Sequence, residues 1–222
     1  MISVSVIIPV HNGQDTIERA IMSAVNQADE VIVIDDGSTD NTQDILTDLF
    51  FSLNNLAFVP TKSIVPVGVS VARNQGITLA RELIIPLDAD DWLEPDAVSK
   101  LVAAWKPNHF VYGGWIEHNQ GKQRYQSPGH TNHITRKNVC HATYLFHWQA
   151  WYGAGGYDPD FSFCAEDWAF MIAMITHGIR PIRIDKPIYN YTLSNTGRAA
   201  QCRDRFAMVQ KLMRLKYATA YA

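Results

Sequence analysis

Short, uninterrupted apolar runs alternate with amphipathic stretches along the first half of this chain, and the runs stop at polar or acidic clusters. Residues 4–10 end at His11-Asn12-Gly13. Residues 30–34 end at Asp35-Asp36-Gly37-Ser38, and residues 83–87 at Asp88-Ala89-Asp90-Asp91. Between the first two runs, Ile17, Ala20, Ile21, Ala24 and Val25 recur at helical spacing. Further helices are predicted over 39–51, 67–80 and 95–105, with another strand at 56–59. Pro95 suits the first turn of the last helix. A strand that is apolar at every position needs cover on both faces. The pattern therefore predicts a mostly parallel, Rossmann-like α/β sheet with helices on both sides. Ligands of such sheets bind beyond the carboxyl ends of the strands, so the three polar clusters should share one rim.

The second half is less regular. Strands are predicted at 110–115, 123–125, 181–184 and 188–192. A short helix at 147–152 runs into Gly153-Ala154-Gly155-Gly156, and a longer one spans 166–177 with Gly178 beyond it. A final helix covers 200–217. The 222 residues read as a single domain with a ligand-binding half (1–106), a small mixed half (107–197) and a C-terminal basic helix (198–222).

Charge is uneven. The net charge of −3 excludes a protein that coats nucleic acid. Residues 1–60 hold one arginine against nine acids, whereas 198–222 hold six basic residues against Asp204. On the final helix Phe206, Met208, Val209, Leu212, Met213, Leu215 and Tyr217 share a wide arc, with Arg203, Lys211 and Arg214 opposite. The apolar arc should pack on this chain, on a partner subunit of a homodimer, or on lipid. The basic side could meet an anionic membrane leaflet or nucleic acid. No apolar run is long enough to span a membrane, and no signal peptide is expected. Cys140, Cys164 and Cys202 are too few and scattered for a disulfide framework. Reduced thiols in a cytoplasmic protein, peripheral at most to the inner membrane face, are the expectation.

The chemistry concentrates in three acidic groups. Asp88 and Asp90, one residue apart after a buried strand, suit a hard divalent cation such as Mg²⁺ or Mn²⁺ shared with a diphosphate. The alternative is helix capping, which Asp91 could serve. Asp35-Asp36 could accept the N3–H of uracil or ribose hydroxyls; alternatively they form a plain turn capped by Ser38 or Asp40. Glu166-Asp167-Trp168 opens a helix, whose positive end favours an ionised carboxylate able to act as general base. His130, His133, Cys140 and His141 invite a zinc reading, but their spacing fits no standard zinc motif. Dinucleotide, P-loop and nucleophile-elbow signatures are missing. Residues 105–151 hold four of the six tryptophans and six of the eight histidines, a segment suited to meeting an acceptor by stacking.

Several motifs occur in register: Val6-Ile7-Ile8-Pro9-Val10-His11-Asn12, Val33-Ile34-Asp35-Asp36-Gly37-Ser38-Thr39-Asp40, Val71-Ala72-Arg73-Asn74-Gln75-Gly76, Leu87-Asp88-Ala89-Asp90-Asp91, and Gly155-Gly156-Tyr157 followed by Glu166-Asp167-Trp168. Over residues 3–192 the chain resembles a family 2 glycosyltransferase of the GT-A fold. The resemblance implies inverting, metal-dependent transfer of one sugar from a nucleotide-diphosphate donor, with UDP favoured. It implies Pro9, His11, Asn12 and Asp36 around the nucleoside, Asp88 and Ala89 near the donor, and Arg73 near the donor phosphates or the acidic cluster. Asp90 with Asp88 would hold Mn²⁺ or Mg²⁺. Asp167, with Glu166, would be the catalytic base. Trp115, Trp148 and Trp168 would meet the acceptor: a saccharide, a lipid-linked sugar or a modified nucleic-acid base. His11 stands where the family often has Tyr or Phe, and Tyr191-Thr192-Leu193 replaces a frequent Arg-x-His. The Gln-Arg-Arg-Trp signature of processive synthases is missing, so a single transfer per encounter is expected. A catalytically inactive nucleotide- or carbohydrate-binding module and a sugar nucleotidyltransferase are the alternatives.

Overall fold

The computed structural model describes residues 2–61, 65–193, 202 and 205–221. The first half alternates as read. It runs β1 (Val4–Val10), α1 (Ile17–Val25), β2 (Glu30–Asp35), α2 (Thr42–Ser52), β3 (Leu56–Pro60), α3 (Val69–Ile77), β4 (Leu83–Pro86), the short β5 (Trp92–Leu93) and α4 (Ala97–Ala104). The second half contains β6 (His109–Asn119), β7 (Lys122–Gln126), β8 (Tyr144–His147), α5 (Trp148–Ala154), α6 (Glu166–Thr176), β9 (Arg180–Thr192) and α7 (Phe206–Lys216).

One sheet joins both halves in the order β3-β2-β1-β4-β8-β6-β9-β5, with β7 beside β6. Strands β3, β2, β1 and β4 are parallel. β8 runs antiparallel to both β4 and β6, and so forms the seam between the halves. All seven residues of β1 are buried. Alternate side chains serve opposite faces: Val6 and Ile8 pack with α1 and α4, while Ile7 packs with α3 and α6. Each such aliphatic side chain contributes ~1.5–3 kcal/mol through burial, so the continuous apolar pattern needs helices on both sides.

Several predicted boundaries move for identifiable reasons. α2 starts at Thr42 because the Thr39 and Asn41 N–H groups are taken by Asn12 and Gln14. α3 starts at Val69 because Val67 and Gly68 donate their N–H groups to Asp36. The strands predicted at 181–184 and 188–192 are one strand, β9, which passes β6 through register shifts at Gly113-Gly114. A Cβ at Gly113 would lie 2.9 Å from the Lys186 carbonyl, and one at Gly114 would lie 2.5 Å from that of Gln126, so only glycines admit both neighbouring strands. β5 and β8 were not anticipated, being two and four residues long and adjoining helices.

The cysteine expectation is corrected. Cys164 and Cys202 form a disulfide, with Cα atoms 5.4 Å apart, and Cys140 is free and buried. The fold brings together residues 38 positions apart, which spacing alone does not reveal. This chain covers part of the apolar arc of the C-terminal helix. Val209 and Met213 are buried, Leu212 and Tyr217 pack against the same core, and Phe206, Met208 and Leu215 are exposed. Lys211 and Arg214 are exposed too, and Arg203 lies outside the described residues. Among the described residues no helix is long and apolar enough to cross a membrane.

Candidate active site

A cleft of about 910 Å³ opens over the carboxyl ends of β1, β2 and β4 and is closed on the other side by the start of α6 and the end of β9. Pro9, His11, Asn12, Asp36, Asp88, Ala89, Asp90, Glu166 and Asp167 all line it. Two turns form its floor and are tied to each other. The Asn12 backbone N–H donates to Ser38 Oγ at 2.9 Å, and the Thr39 N–H donates to Asn12 Oδ1 at 2.7 Å. A ring nitrogen of His11 lies 2.9 Å from the Asp36 carbonyl.

The two neighbouring acids of the second turn have separate roles. Asp35 holds the turn, accepting from Ser38 N–H and Gln43 Nε2 at 3.0 and 2.7 Å. Asp36 is buried and accepts from Val67 and Gly68 N–H, each at 2.8 Å. It thus anchors the entry to α3, and each of its oxygens keeps a second lone pair. Asp40 takes the capping role, accepting from the N–H and hydroxyl of Thr42.

Asp88, Asp90 and Asp91 place carboxylate oxygens within 4.8 Å of one another. Asp91 does not cap α4, whose N-cap residue is Asp96. Instead it is buried and accepts from the Thr192 N–H at 3.0 Å, while Thr192 Oγ1 donates to the Asp90 carbonyl at 2.9 Å. The end of β9 is thereby clamped to the acidic loop. Burial and the charges of Asp88 and Asp90 push the Asp91 carboxyl well above the usual range. Three hard oxygen donors that repel one another are a donor set suited to a divalent cation. No other group of three or more His, Cys, Asp or Glu converges in this way among the described residues, so the zinc grouping of His130, His133, Cys140 and His141 does not form.

Arg73 connects the two halves. It is fully buried on α3; its Nη2 pairs with Asp88 and its Nη1 with Glu166 at 2.8 Å. Of the two placements expected for Arg73, near the donor phosphates or near the acidic cluster, the structure shows the contact with the acidic cluster. Those carboxylates raise the guanidinium pKa further despite its burial, so the charge is permanent. Beside it, Asn74 Oδ1 accepts from Trp151 Nε1 and Tyr157 N–H, both at 2.8 Å, and its Nδ2 donates to the Tyr157 carbonyl. Gly156 (φ +77°) passes close enough that a Cβ would lie 2.8 Å from Asn74 Oδ1.

Asp167 sits at the first turn of α6, held by Asn138 Nδ2 at 2.9 Å and the Trp168 N–H at 2.7 Å. Burial first, then the neighbouring Glu166 charge, push its carboxyl up to about 6. The helix-end argument for a readily ionised group is therefore outweighed by desolvation. Glu166 is engaged by Arg73 and serves to hold that bridge.

Of the three tryptophans expected at the acceptor, Trp168 lines the cleft and Trp115 and Trp148 do not. Trp168 borders it but is fully buried, stacked on Phe206 at 5.6 Å with its indole N–H on the Ile134 carbonyl. Trp148 lies at the exposed start of α5 beside Tyr152, and Trp115 stacks on Tyr189 behind the cleft wall. The second half instead contributes Asn138, His141 and Tyr191. His141 had been visible only as part of a zinc motif, Tyr191 only as a departure from the family pattern, and Asn138 carried no signal.

This architecture is the GT-A fold. The sequence profile of Glycosyl transferase family 2 matches residues 5–160, and the chain belongs to that family of glycosyltransferases. It is 31% identical over 174 residues to the chondroitin synthase of Escherichia coli, covering 72% of this chain and 24% of that protein. It thus spans about a quarter of that relative's length. The structure matches S. aureus TarS 1–349 in complex with UDP-GlcNAc at a TM-score of 0.76 and 20% identity, covering 99% of this chain and 69% of that one. It also matches the mannosyltransferase PcManGT from Pyrobaculum calidifontis in complex with GDP-Man and Mn2+, at a TM-score of 0.72 and 19% identity, covering 99% and 69%. At these identities the structural likeness speaks to the fold.

Proposed function

We propose that this chain transfers a single sugar from a nucleotide-diphosphate donor to an acceptor hydroxyl by one inverting displacement. The observation that carries this reading is a single cleft lined by Asp88, Asp90 and the buried carboxylate Asp167, with Arg73 tying Asp88 to Glu166, the neighbour of Asp167. Asp167 takes the proton of the attacking hydroxyl while the new bond forms at the anomeric carbon and the bond to the diphosphate breaks. With its carboxyl at about 6, Asp167 is ionised at neutral pH yet basic enough to accept that proton. Asn138 and the Trp168 N–H fix its orientation. Asp88, Asp90 and Asp91 would hold Mn²⁺ or Mg²⁺, and a cation bound there would supply charge to offset that of the diphosphate.

UDP is the favoured carrier. Asp36, on the cleft floor, has lone pairs to accept the uracil N3–H, a proton that cytosine lacks. A UDP-sugar in one structural neighbour agrees with this, and a GDP-sugar with Mn2+ in another makes GDP the competitor to test. The acceptor is a saccharide, free or lipid-linked. Exposed Lys211 and Arg214 beside Met208 and Leu215 support contact of α7 with an anionic membrane surface. The test is thermal-shift titration of UDP, GDP, CDP and dTDP with Mn²⁺, followed by donor turnover with and without EDTA. A larger shift with GDP than with UDP overturns the carrier assignment. Metal-independent turnover overturns the role of the triad.

A further inference from the structure

His141 is on the cleft wall, three residues after Asn138. Its imidazole is held from two directions. It stacks face to face on Tyr191, with centroids 4.4 Å apart and planes at 13°, and it stands perpendicular to Trp115 at 4.6 Å. Trp115 is in turn stacked on Tyr189. These contacts use the ring faces and edges. Among the described residues neither imidazole nitrogen has a hydrogen-bond partner. A rigidly held ring with unused nitrogens on a ligand-sized cleft is built to recognise something, since little side-chain freedom is lost when a ligand binds.

Its position says what. His141 and Tyr191 line the same cleft as Asp88, Asp90 and Asp167, and Tyr191 precedes Thr192, which ties the end of β9 to Asp90 and Asp91. The pair thus shares the cleft wall with both the acidic loop and Asp167. In a single displacement the departing and incoming oxygens lie on opposite sides of the anomeric carbon, so the sugar ring being transferred occupies the interval between the acidic loop and Asp167. We propose that His141 recognises the transferred sugar. One ring nitrogen hydrogen-bonds a sugar hydroxyl or amide, while Tyr191 and Trp115 hold the imidazole in place. This rests on the nucleotide-sugar reading above and adds to it a residue that discriminates among donors.

Calorimetry with Mn²⁺ can compare UDP, which lacks the sugar, with UDP-glucose and UDP-N-acetylglucosamine. His141→Phe keeps a ring to stack on Tyr191 and removes both nitrogens; His141→Gln removes the ring and restores a donor and an acceptor. The expected result is UDP affinity and Tm equal to wild type in His141→Phe, with about a tenfold loss for the UDP-sugar that wild type prefers. Partial recovery is expected in His141→Gln. If His141→Phe does not fold, His141→Leu supplies the same comparison. Equal UDP-sugar affinity in wild type and the apolar variant overturns the assignment, and so does an equal loss for UDP itself. A wild type that binds neither UDP nor UDP-sugars overturns the UDP assignment on which the comparison rests, and one that binds no GDP-sugar either overturns the nucleotide-sugar reading.

Discussion

The two halves of the sheet carry their share of the cleft in different ways. From β1 to α4 each strand end delivers polar residues to the rim directly, so Asp36, Asp88 and Asp90 arrive where the chain order puts them. From β6 onward, strands run both ways, and Asp167 reaches the cleft from the first turn of α6, on the side facing the strand ends. Asp167 is oriented by Asn138, 29 residues away, and Arg73 meets Glu166 across 93 residues. An acidic rim can thus be laid down by local alternation, whereas the placement of Asp167 depends on long-range contacts that must all be present together.

The sharpest test substitutes one acid from each half. Asp167→Asn should retain UDP binding and lose ~10²–10⁴-fold in turnover, because a base acts mainly on the transition state. Asp90→Ala should instead abolish metal-dependent UDP binding. Calorimetry beside a radiolabelled-donor assay separates the two, and near wild-type turnover in Asp167→Asn would refute the base assignment.

Uncoupling the halves comes next. Arg73→Met leaves Asp88 and Glu166 without their shared cation and should destabilise the fold by about 3 kcal/mol, since removing one partner leaves uncompensated charge. Urea unfolding measures this. A loss below about 1 kcal/mol would mean that the bridge does not hold the halves together.

A smaller effect is expected at the glycine turn, where Gly156→Ala should cost about 1–2 kcal/mol by the same measurement. The residue has φ +77°, and its Cβ would press on Asn74. The pH profile tests the second half alone. Because the base works only when ionised, kcat/KM should fall about tenfold per unit below a pKa of about 6. Asn138→Ala removes a hydrogen bond that lowers this value, so the limb should move to higher pH. Stability runs the other way. The folded-state value lies above the ordinary 3.8, so the contribution of this group is full below 3.8 and is lost as pH rises through about 6. The smallest effect per residue is expected at α7, where Lys211→Ala and Arg214→Ala should each weaken binding to anionic vesicles at low salt by roughly 1 kcal/mol. No binding by wild type at low salt would reduce that face to a solvated surface.

Legibility followed the same division. In the first half β1, β2 and β4 were readable because they are covered on both faces, which leaves unbroken apolar runs; the two-residue β5 was not. β8 was missed because four residues of Tyr-Leu-Phe-His carry no period and run straight into α5. β9 was read as two strands because Lys186-Pro187 interrupts its apolar pattern opposite the glycine bulge of β6. The acids of the cleft were legible because carboxylates crowding a strand end exceed what a turn needs. The tryptophans misled: aromatic residues serve cores and ligand walls equally well, and a buried Trp168 reads in sequence like an exposed one.

By itself the sequence determined the parallel half, the rim and the acids on it, because strand and helix periodicities and turn chemistry act between residues close together in the chain. Only the tertiary structure decided that Arg73 is a buried bridge, that Asp91 joins the triad, that Cys164 pairs with Cys202 and that His141 faces the cleft. Each of these depends on burial or on a partner brought near by folding. Solvent exclusion then changes the chemistry: it raises the carboxyl of Asp167, which the same residue on an exposed helix end would not show.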